Sequence, residues 1–223
     1  MRLGFICSSG GAALFSAISL FKVCGRIIEP VIITDRCCGA YSMALEQGYE
    51  AAQIRFEDKA QFSSECAEYF RAKGTSDVLL FFTRLVGVPL IEDLRVFNIH
   101  PSLLPAFKGI GAVSMAKEGG ALLLGASLHR VDEEMDSGSL KYQVATANLP
   151  TMSIERANKL SYLQKVWLTL NWFEECQGMV DLGPALYPSL AAVSLATRSL
   201  SPTALESFVA LEEREIRSIG GEN

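Results

Sequence analysis

The feature that most constrains the fold is an alternation of short apolar runs with longer stretches whose apolar residues repeat at helical spacing. Residues 2–7 and 31–35 have the length and composition of buried strands, and the segment AALFSAISLFKV between them has the period of a helix. The pattern continues with predicted helices at 39–47 and 58–72 and predicted strands at 50–55 and 77–82. Strands that alternate with helices predict an α/β fold, a mostly parallel twisted sheet with helices on both faces.

The second half of the chain departs from this simple alternation. It carries a predicted helix at 112–120, strands at 121–131 and 138–149 that look antiparallel, and helices at 153–175 and 202–217. No repeat or interdomain linker is visible. We therefore predict one domain over 1–178, with a C-terminal extension at 179–223 packed on the same domain.

Composition and charge narrow the class of protein. The formal net charge is −5 and Lys and Arg do not cluster, which argues against a nucleic-acid groove and favours a small-molecule partner. No apolar run reaches the roughly 18 residues of a membrane span. The polar Ser8–Gly11 stretch interrupts the only run that could imitate a secretory signal, so we expect a cytoplasmic protein.

The six cysteines show no CxxC pair and no histidine at zinc-ligand spacing, so we predict no metal site. Most are expected to be reduced core residues. Whether the adjacent Cys37 and Cys38 are redox-active stays open.

The segment FNIHPSLLPAFKG, residues 97–109, is the strongest candidate for a functional site. Residues two apart on a strand face the same way, so Asn98 and His100 are expected to project together at the carboxyl end of a strand. In open α/β sheets this is where ligands bind. The structural alternative is that His100 caps a turn and Asn98 satisfies loop backbone.

Two segments resemble the folate-dependent formyltransferase family over about residues 1–175. The first is the run from Asn98 to Pro105 with Gly109 after it, and the second is Gly125-x-Ser127-x-His129 followed by Asp136-x-Gly138. Within the family the resemblance is closest to the glycinamide ribonucleotide formyltransferases. It implies a Rossmann-like formyltransferase fold and an enzyme that uses 10-formyltetrahydrofolate as co-substrate, without a metal.

The resemblance also implies roles for three residues. Moving a formyl group between nitrogens builds negative charge on oxygen, and Asn98 and His100 match the family residues that donate hydrogen bonds to it. Asp136 matches the carboxylate that relays protons through water. Without the resemblance, Asp136 could equally be a solvated turn residue. Ser127, Gly109 and His129 are read as supporting residues, although direct catalysis by His129 stays open.

The binding residues follow from the same resemblance. Those implied to contact the co-substrate are Arg84, Leu85, Val86, Val96, Val131, Asp132 and Glu133. Those implied to hold the acceptor are Ser9, Gly10, Gly11 and Ala12. The match at Arg84 is weak, because the family's preceding Ala-Gly is absent and the segment before Asn98 is about two residues shorter, so strand-edge packing with a surface arginine remains an alternative.

Two departures from the family pattern lie on the acceptor side. Ala12 and Ala13 replace a Ser-Asn pair that contacts substrate phosphate, and Tyr162 and Leu163 replace a Glu-His pair near the ribose. We therefore expect the acceptor to be the amine of another small molecule or peptide, and not glycinamide ribonucleotide. The alternatives are glycinamide ribonucleotide itself and a non-catalytic folate- or metabolite-binding protein; the oligomeric state stays open.

Overall fold

A computed structural model describes residues 1–178, 186–187, 192–195 and 201–218. The chain divides into two compact units. The first comprises 1–12, 27–99 and 129–139, and the second comprises 13–26, 100–128 and the described part of 140–223. The division falls inside two strands, between Ile99 and His100 and between Leu128 and His129.

The first unit contains a parallel sheet. Its strands are β1 (Arg2–Cys7), β2 (Glu29–Thr34), β3 (Glu50–Gln53), β4 (Asp77–Phe81) and β5 (Arg95–His100), of which the last residue belongs to the second unit. The strand order is β3-β2-β1-β4-β5, and every neighbouring pair is parallel. Gly4 of β1 lies opposite Val31 on one side and Val78 on the other. The carboxyl ends of all five strands therefore meet at one edge of this sheet.

Three helices belong to this unit, α2 (Gly39–Glu46), α3 (Lys59–Ala72) and the short α4 (Leu90–Asp93). Asp58 caps α3, because its carboxylate accepts hydrogen bonds from the backbone N–H groups of Ala60 and Gln61. The apolar face of α3 is buried with the strand residues in one core cluster, whose members include Phe62, Cys66, Phe70, Ile33 and Val96. Burial of this face, more than helix propensity, holds α3 in place.

The second unit contains the remaining helices and strands. They are α1 (Ala12–Val23), α5 (Ala112–Glu118), β6 (Leu123–Arg130), β7 (Leu140–Ala147), α6 (Ile154–Cys176), β8 (Leu186–Tyr187), β9 (Ala192–Leu195) and α7 (Pro202–Arg217). Of these residues, Ala12 of α1 and His129 and Arg130 of β6 belong to the first unit. The strand order is β6-β7-β9-β8, with β9 antiparallel to both β7 and β8. The long helix α6 is buried along most of its length, and Trp167 meets Phe208 of α7 edge to face at 5.1 Å.

The element predictions are confirmed for the alternating first half, for the strands at 121–131 and 138–149 and for the C-terminal helix. The antiparallel partner that the structure gives β7 is β9. The helix α4 and the strands β8 and β9 were not predicted. The part of the predicted 179–223 extension other than β8, β9 and 201–218 lies outside the described residues, and the single-domain prediction stays a prediction.

The prediction that most of the cysteines are core residues was wrong, because only two of the six are buried. Cys7 and Cys66 are buried, whereas Cys24, Cys38 and Cys176 are half-buried and Cys37 is exposed. The reason is position, because these four lie at or beside helix ends, where neighbouring chain covers a side chain less completely. Burial, with a smaller contribution from Cys38, raises the pKa of the Cys7 thiol.

Among the helices that the structure describes, none combines the length and the apolar character that crossing a membrane requires. Within the same residues, His, Cys, Asp and Glu side chains form no group of three or more that could hold a metal ion.

Candidate active site

The end of β5 carries both polar residues predicted for it, Asn98 and His100. In the first unit, the Asn98 side-chain nitrogen Nδ2 lies 3.4 Å from Nε2 of His129 in β6. The His129 side chain is 3% exposed. The structure therefore places His129, read from the sequence as a supporting residue, directly against Asn98.

The tautomer of His129 follows from its other contact. Its Nδ1 lies 2.8 Å from the carbonyl oxygen of Arg130, which can only accept, so Nδ1 carries the hydrogen and donates. In the neutral ring Nε2 is then an acceptor, to which the Asn98 side-chain nitrogen presents N–H. In the doubly protonated ring Nε2 would instead donate, with the Asp136 carboxylate 3.7 Å away as its acceptor. The orientation of the Asn98 amide therefore belongs to the neutral form of His129.

Asp136 completes the cluster in the first unit. Its carboxylate Oδ1 lies 3.7 Å from His129 Nε2, and its side chain is 8% exposed. The backbone of Asp136 has φ +52°, a left-handed conformation that costs free energy in a residue other than glycine and is often found at functional sites. A buried carboxylate in such a conformation is not the solvated turn residue of the alternative interpretation.

The loop around Asp136 is fixed by its own backbone. Arg130 N–H donates to Ser139 O at 2.9 Å, and Val131 N–H donates to Val96 O at 2.9 Å. A Cβ at Gly138 would lie 1.8 Å from Arg130 O, so only glycine fits there. The Asp-x-Gly spacing is therefore a requirement of the backbone.

Three residues of this loop were predicted to contact the co-substrate, and they differ in exposure and in hydrogen bonding. Asp132 Oδ1 accepts hydrogen bonds from Glu134 N–H and Ser137 Oγ, at 3.1 and 2.6 Å. Glu133 is exposed, and Val131 is half-buried against the core cluster. Asp132 thus shapes the loop through these hydrogen bonds, although it is exposed to solvent like Glu133.

In the second unit, His100 is 4% exposed and its Nε2 lies 2.8 Å from Phe107 O. Because a carbonyl only accepts, Nε2 donates here. Phe107 has φ +52° and Gly109 has φ +85°, so the chain after His100 turns back sharply. The segment 101–107 holds one nitrogen of the His100 ring.

Ser127 of β6 anchors the same segment. Its Oγ donates to Ser102 O at 2.7 Å and accepts from Leu104 N–H at 3.0 Å and from Gln143 Nε2 at 2.8 Å. Two positions earlier, a Cβ at Gly125 would lie 2.5 Å from the Leu103 side chain. Gly125 and Ser127 thus hold the residues that follow His100 in position. This agrees with the expectation that Ser127 supports the site and does not itself react.

Arg84 lies at a cluster that the sequence did not predict. Its Nε is 3.3 Å from Oδ2 of Asp35, whose carboxylate is 1% exposed, and its guanidinium lies 4.7 Å from the centre of the Phe56 ring. Arg36 binds the same carboxylate through two nitrogens, at 3.0 and 2.6 Å, and this hydrogen bonding raises the pKa of Arg36. Both guanidinium groups remain about half exposed.

The other residues expected to contact the co-substrate divide by burial. Leu85 is 41% exposed, whereas Val86 and Val96 are buried in the core cluster of the first unit. The side chains of these two valines therefore serve packing, and the Val96 carbonyl is used by Val131.

The glycine turn Ser9–Ala12 lies between β1 and α1. Ser9 and Gly10 are exposed, Ser9 O accepts from Ala40 N–H at 3.0 Å, and Gly11 has φ +63°. In the second unit, the Tyr162 hydroxyl lies 2.7 Å from Ser16 Oγ on α1. Tyr162, at one of the two departures from the family pattern, thus has a hydroxyl partner within its own unit.

The fold and the residues at the end of β5 define an α/β protein of the formyltransferase type. A family model described as formyl transferase matches residues 34–168. The chain belongs to this family.

Individual relatives agree with this assignment. Phosphoribosylglycinamide formyltransferase of Bacillus subtilis is 40% identical over 93 residues, 40% of this chain and 48% of that protein. The trifunctional purine biosynthetic protein adenosine-3 of Drosophila pseudoobscura pseudoobscura is 35% identical over 176 residues, 74% of this chain and 13% of that protein. The chain thus matches about half of the bacterial relative, 48%, and a small part of the insect one.

A solved structure extends the likeness to almost the whole fold. Glycinamide ribonucleotide transformylase 1 of Symbiobacterium toebii has a TM-score of 0.72 and 26% identity, over 90% of this chain and 94% of that one. The predicted fold class is confirmed.

Proposed function

We propose that the chain is an N-formyltransferase that moves a formyl group from 10-formyltetrahydrofolate to the amine of glycinamide ribonucleotide. The observation that carries the proposal is the orientation of Asn98. One N–H of its amide donates to the acceptor nitrogen of His129, which leaves the second N–H of the same nitrogen for a substrate oxygen.

This arrangement suits formyl transfer. As the amine attacks, negative charge develops on the formyl oxygen, and a donor already held in position stabilises it without reorganising. A freely rotating amide would present its carbonyl as often as its nitrogen. The contact with His129 removes that ambiguity.

His100 and Asp136 take the remaining roles, which rest on their match to the family motifs. Because His100 Nε2 already donates to Phe107 O, His100 donates to a substrate oxygen from Nδ1, and only in its doubly protonated form. Asp136 accepts, through water, the proton that the attacking amine loses, and the same water relay returns a proton to the folate nitrogen as its bond to the formyl carbon breaks. The Asp136 carboxylate is held by a glycine-dependent loop.

The residues around Arg84 suit a folate. The co-substrate supplies the formyl group and carries carboxylates at the end of its glutamate tail. Arg84 is held by the buried Asp35 and by Phe56 but remains half exposed, so it can bind a carboxylate while its position is fixed. Leu85, which is exposed, offers an apolar contact for a ring.

The acceptor is argued from the relatives, several of which are named for glycinamide ribonucleotide or its phosphoribosyl synonym. Backbone N–H groups at Gly10 and Gly11 would then bind the phosphate without the two polar side chains of the family. A second candidate, another small-molecule amine, is favoured by one observation: Ala12 and Ala13 bring no polar group to this turn.

Formyl transfer to glycinamide ribonucleotide, followed by absorbance as the folate loses its formyl group, tests the proposal. We expect turnover by the wild type and its loss in Asn98→Ala, His100→Ala and Asp136→Ala, each checked for folding by circular dichroism. Wild-type rates in all three variants would refute the catalytic assignment.

The acceptor is tested separately with a panel of amino acids, peptides and amino sugars. Efficient turnover of glycinamide ribonucleotide supports the proposed acceptor. Turnover of another amine alone would support the second candidate. Binding of a folate by calorimetry without transfer to any amine would show a non-catalytic binding protein and overturn both.

A further inference from the structure

The second unit contains a cavity of about 330 Å³ that none of the proposed chemistry uses. This volume lies at the low end of the range for small-molecule sites, about 300–1,000 Å³. It lies between the segment 101–107 and the helices α5 and α6.

The lining of the cavity is mostly apolar and carries no charged side chain. The lining includes four alanines, whose small side chains leave space that larger ones would fill: Ala106, Ala116, Ala121 and Ala157. Phe107 contributes an aromatic ring, and the lining leucines Leu122 and Leu123 are 84% and 49% exposed. Exposed apolar residues beside an apolar cavity are typical of a site that binds another molecule.

Two polar groups of the lining lack a hydrogen-bonding partner within the part of the chain that the structure describes, Gln164 Oε1 and the Ser161 hydroxyl. Ser161 on α6 is only 6% exposed, and its hydroxyl has no hydrogen-bonding partner among the described residues. A Ser in a helix commonly bonds to the carbonyl four residues earlier, as Thr169 does with Lys165. A ligand group that reaches the cavity can therefore form a hydrogen bond with the Ser161 hydroxyl.

We infer that this cavity is a binding site for a small neutral aromatic molecule that carries one hydrogen-bonding group. The ring lies against Phe107 and the leucines, and the polar group pairs with Ser161. A charged ligand is excluded because no charged residue lines the cavity to compensate its loss of hydration.

The site is connected to the candidate active site through one residue. Phe107 lines the cavity, and its carbonyl accepts the hydrogen bond from His100 Nε2 at 2.8 Å. A molecule that packs against the Phe107 ring changes the surroundings of this carbonyl. Occupancy is therefore expected to change the environment of the His100 ring.

The chain has only two histidines, so nuclear magnetic resonance can follow both imidazole rings at once. We expect benzamide to shift the His100 signal saturably at about millimolar concentration and to leave the His129 signal in place, because His129 does not line the cavity. The melting temperature should rise with benzamide concentration. Benzoate, which matches benzamide in shape but carries a charge, should do neither.

Two kinds of variant complete the test. Ser161→Ala should weaken benzamide binding about two- to tenfold, the contribution of one hydrogen bond, and Ser114→Ala on the exposed face of α5 should not. Ala116→Leu should abolish benzamide binding because the larger side chain fills the cavity. If the Ala116→Leu variant does not fold, Ala121→Leu serves as the second cavity-filling variant.

The inference is overturned if benzamide produces no saturable shift or if benzoate binds equally well. It is also overturned if the folded filling variant still binds, or if both histidine signals move together. None of these measurements uses formyl transfer, so they stand or fall separately from the proposed function.

Discussion

Replacing His129 with leucine shows whether His129 only orients Asn98 or itself transfers a proton. The variant removes the acceptor for Asn98, and the 3.4 Å contact is longer than an average hydrogen bond. We therefore assign this hydrogen bond a net free energy of about 0.5–1 kcal/mol, the lower part of the range for hydrogen bonds in proteins. Its loss predicts a fall in kcat/KM of about two- to fivefold. Loss of a group that itself transfers the proton would instead cost about 100- to 10,000-fold.

The assay is steady-state formyl transfer by the wild type, His129→Leu, Asn98→Ala and the double variant. Asn98→Ala should lose about 100- to 1,000-fold, as for an oxyanion donor. If His129 acts only by orienting Asn98, its replacement costs little more once Asn98 is gone, so the two effects are not additive. His129→Gln, which keeps an acceptor, should retain more activity than His129→Leu. Additive losses, or a loss above 100-fold in His129→Leu, would refute the positioning argument.

Three further predictions concern stability. Ser127→Ala leaves two buried backbone groups unpaired and should lower the free energy of unfolding by about 2–4 kcal/mol in urea denaturation, whereas Ser114→Ala should change it by less than about 0.5 kcal/mol. Gly138→Ala must displace the Arg130 carbonyl, so we expect a lower melting temperature; an unchanged one would contradict the 1.8 Å approach. Burial lowers the pKa of Lys165, so the unfolded chain binds its proton more tightly and stability rises with pH up to the unfolded pKa of about 10.4. Lys165→Met should therefore be more stable than wild type at pH 7, by urea midpoint, and a difference that does not shrink by pH 10 contradicts this.

The alternation of strands and helices could be predicted because it is local. Each element carries its own period, so β5, α3 and the distant α7 were all located from the residues they contain. The short α4 has a single turn and hence no period to detect. For β8 and β9, strands of two and four residues are too short to show an alternation.

The candidate site was predictable only in part. The residues came from motifs, but the pairing of Asn98 with His129 joins positions 31 residues apart and depends on which strands become neighbours. The cluster of Arg36 and Arg84 on Asp35 was missed for the same reason, since nothing in the sequence brings the end of β2 to the end of β4. The prediction of a different acceptor relied on the loss of two pairs of polar side chains. Backbone N–H groups can also bind a phosphate, but every sequence has them, so the sequence does not show where they do so.

The spacing of three residues along the strand β6 determines which neighbours they contact. Gly125 makes room for Leu103, Ser127 ties down Ser102 and Leu104, and His129 meets Asn98, each two residues after the last. A side chain on a strand changes face at every step, so inserting or deleting one residue here would turn the residues beyond it away from their partners. The number of residues from Gly125 to His129 therefore cannot change without loss of these contacts. Ala126 and Leu128, in contrast, can be exchanged for residues of similar size.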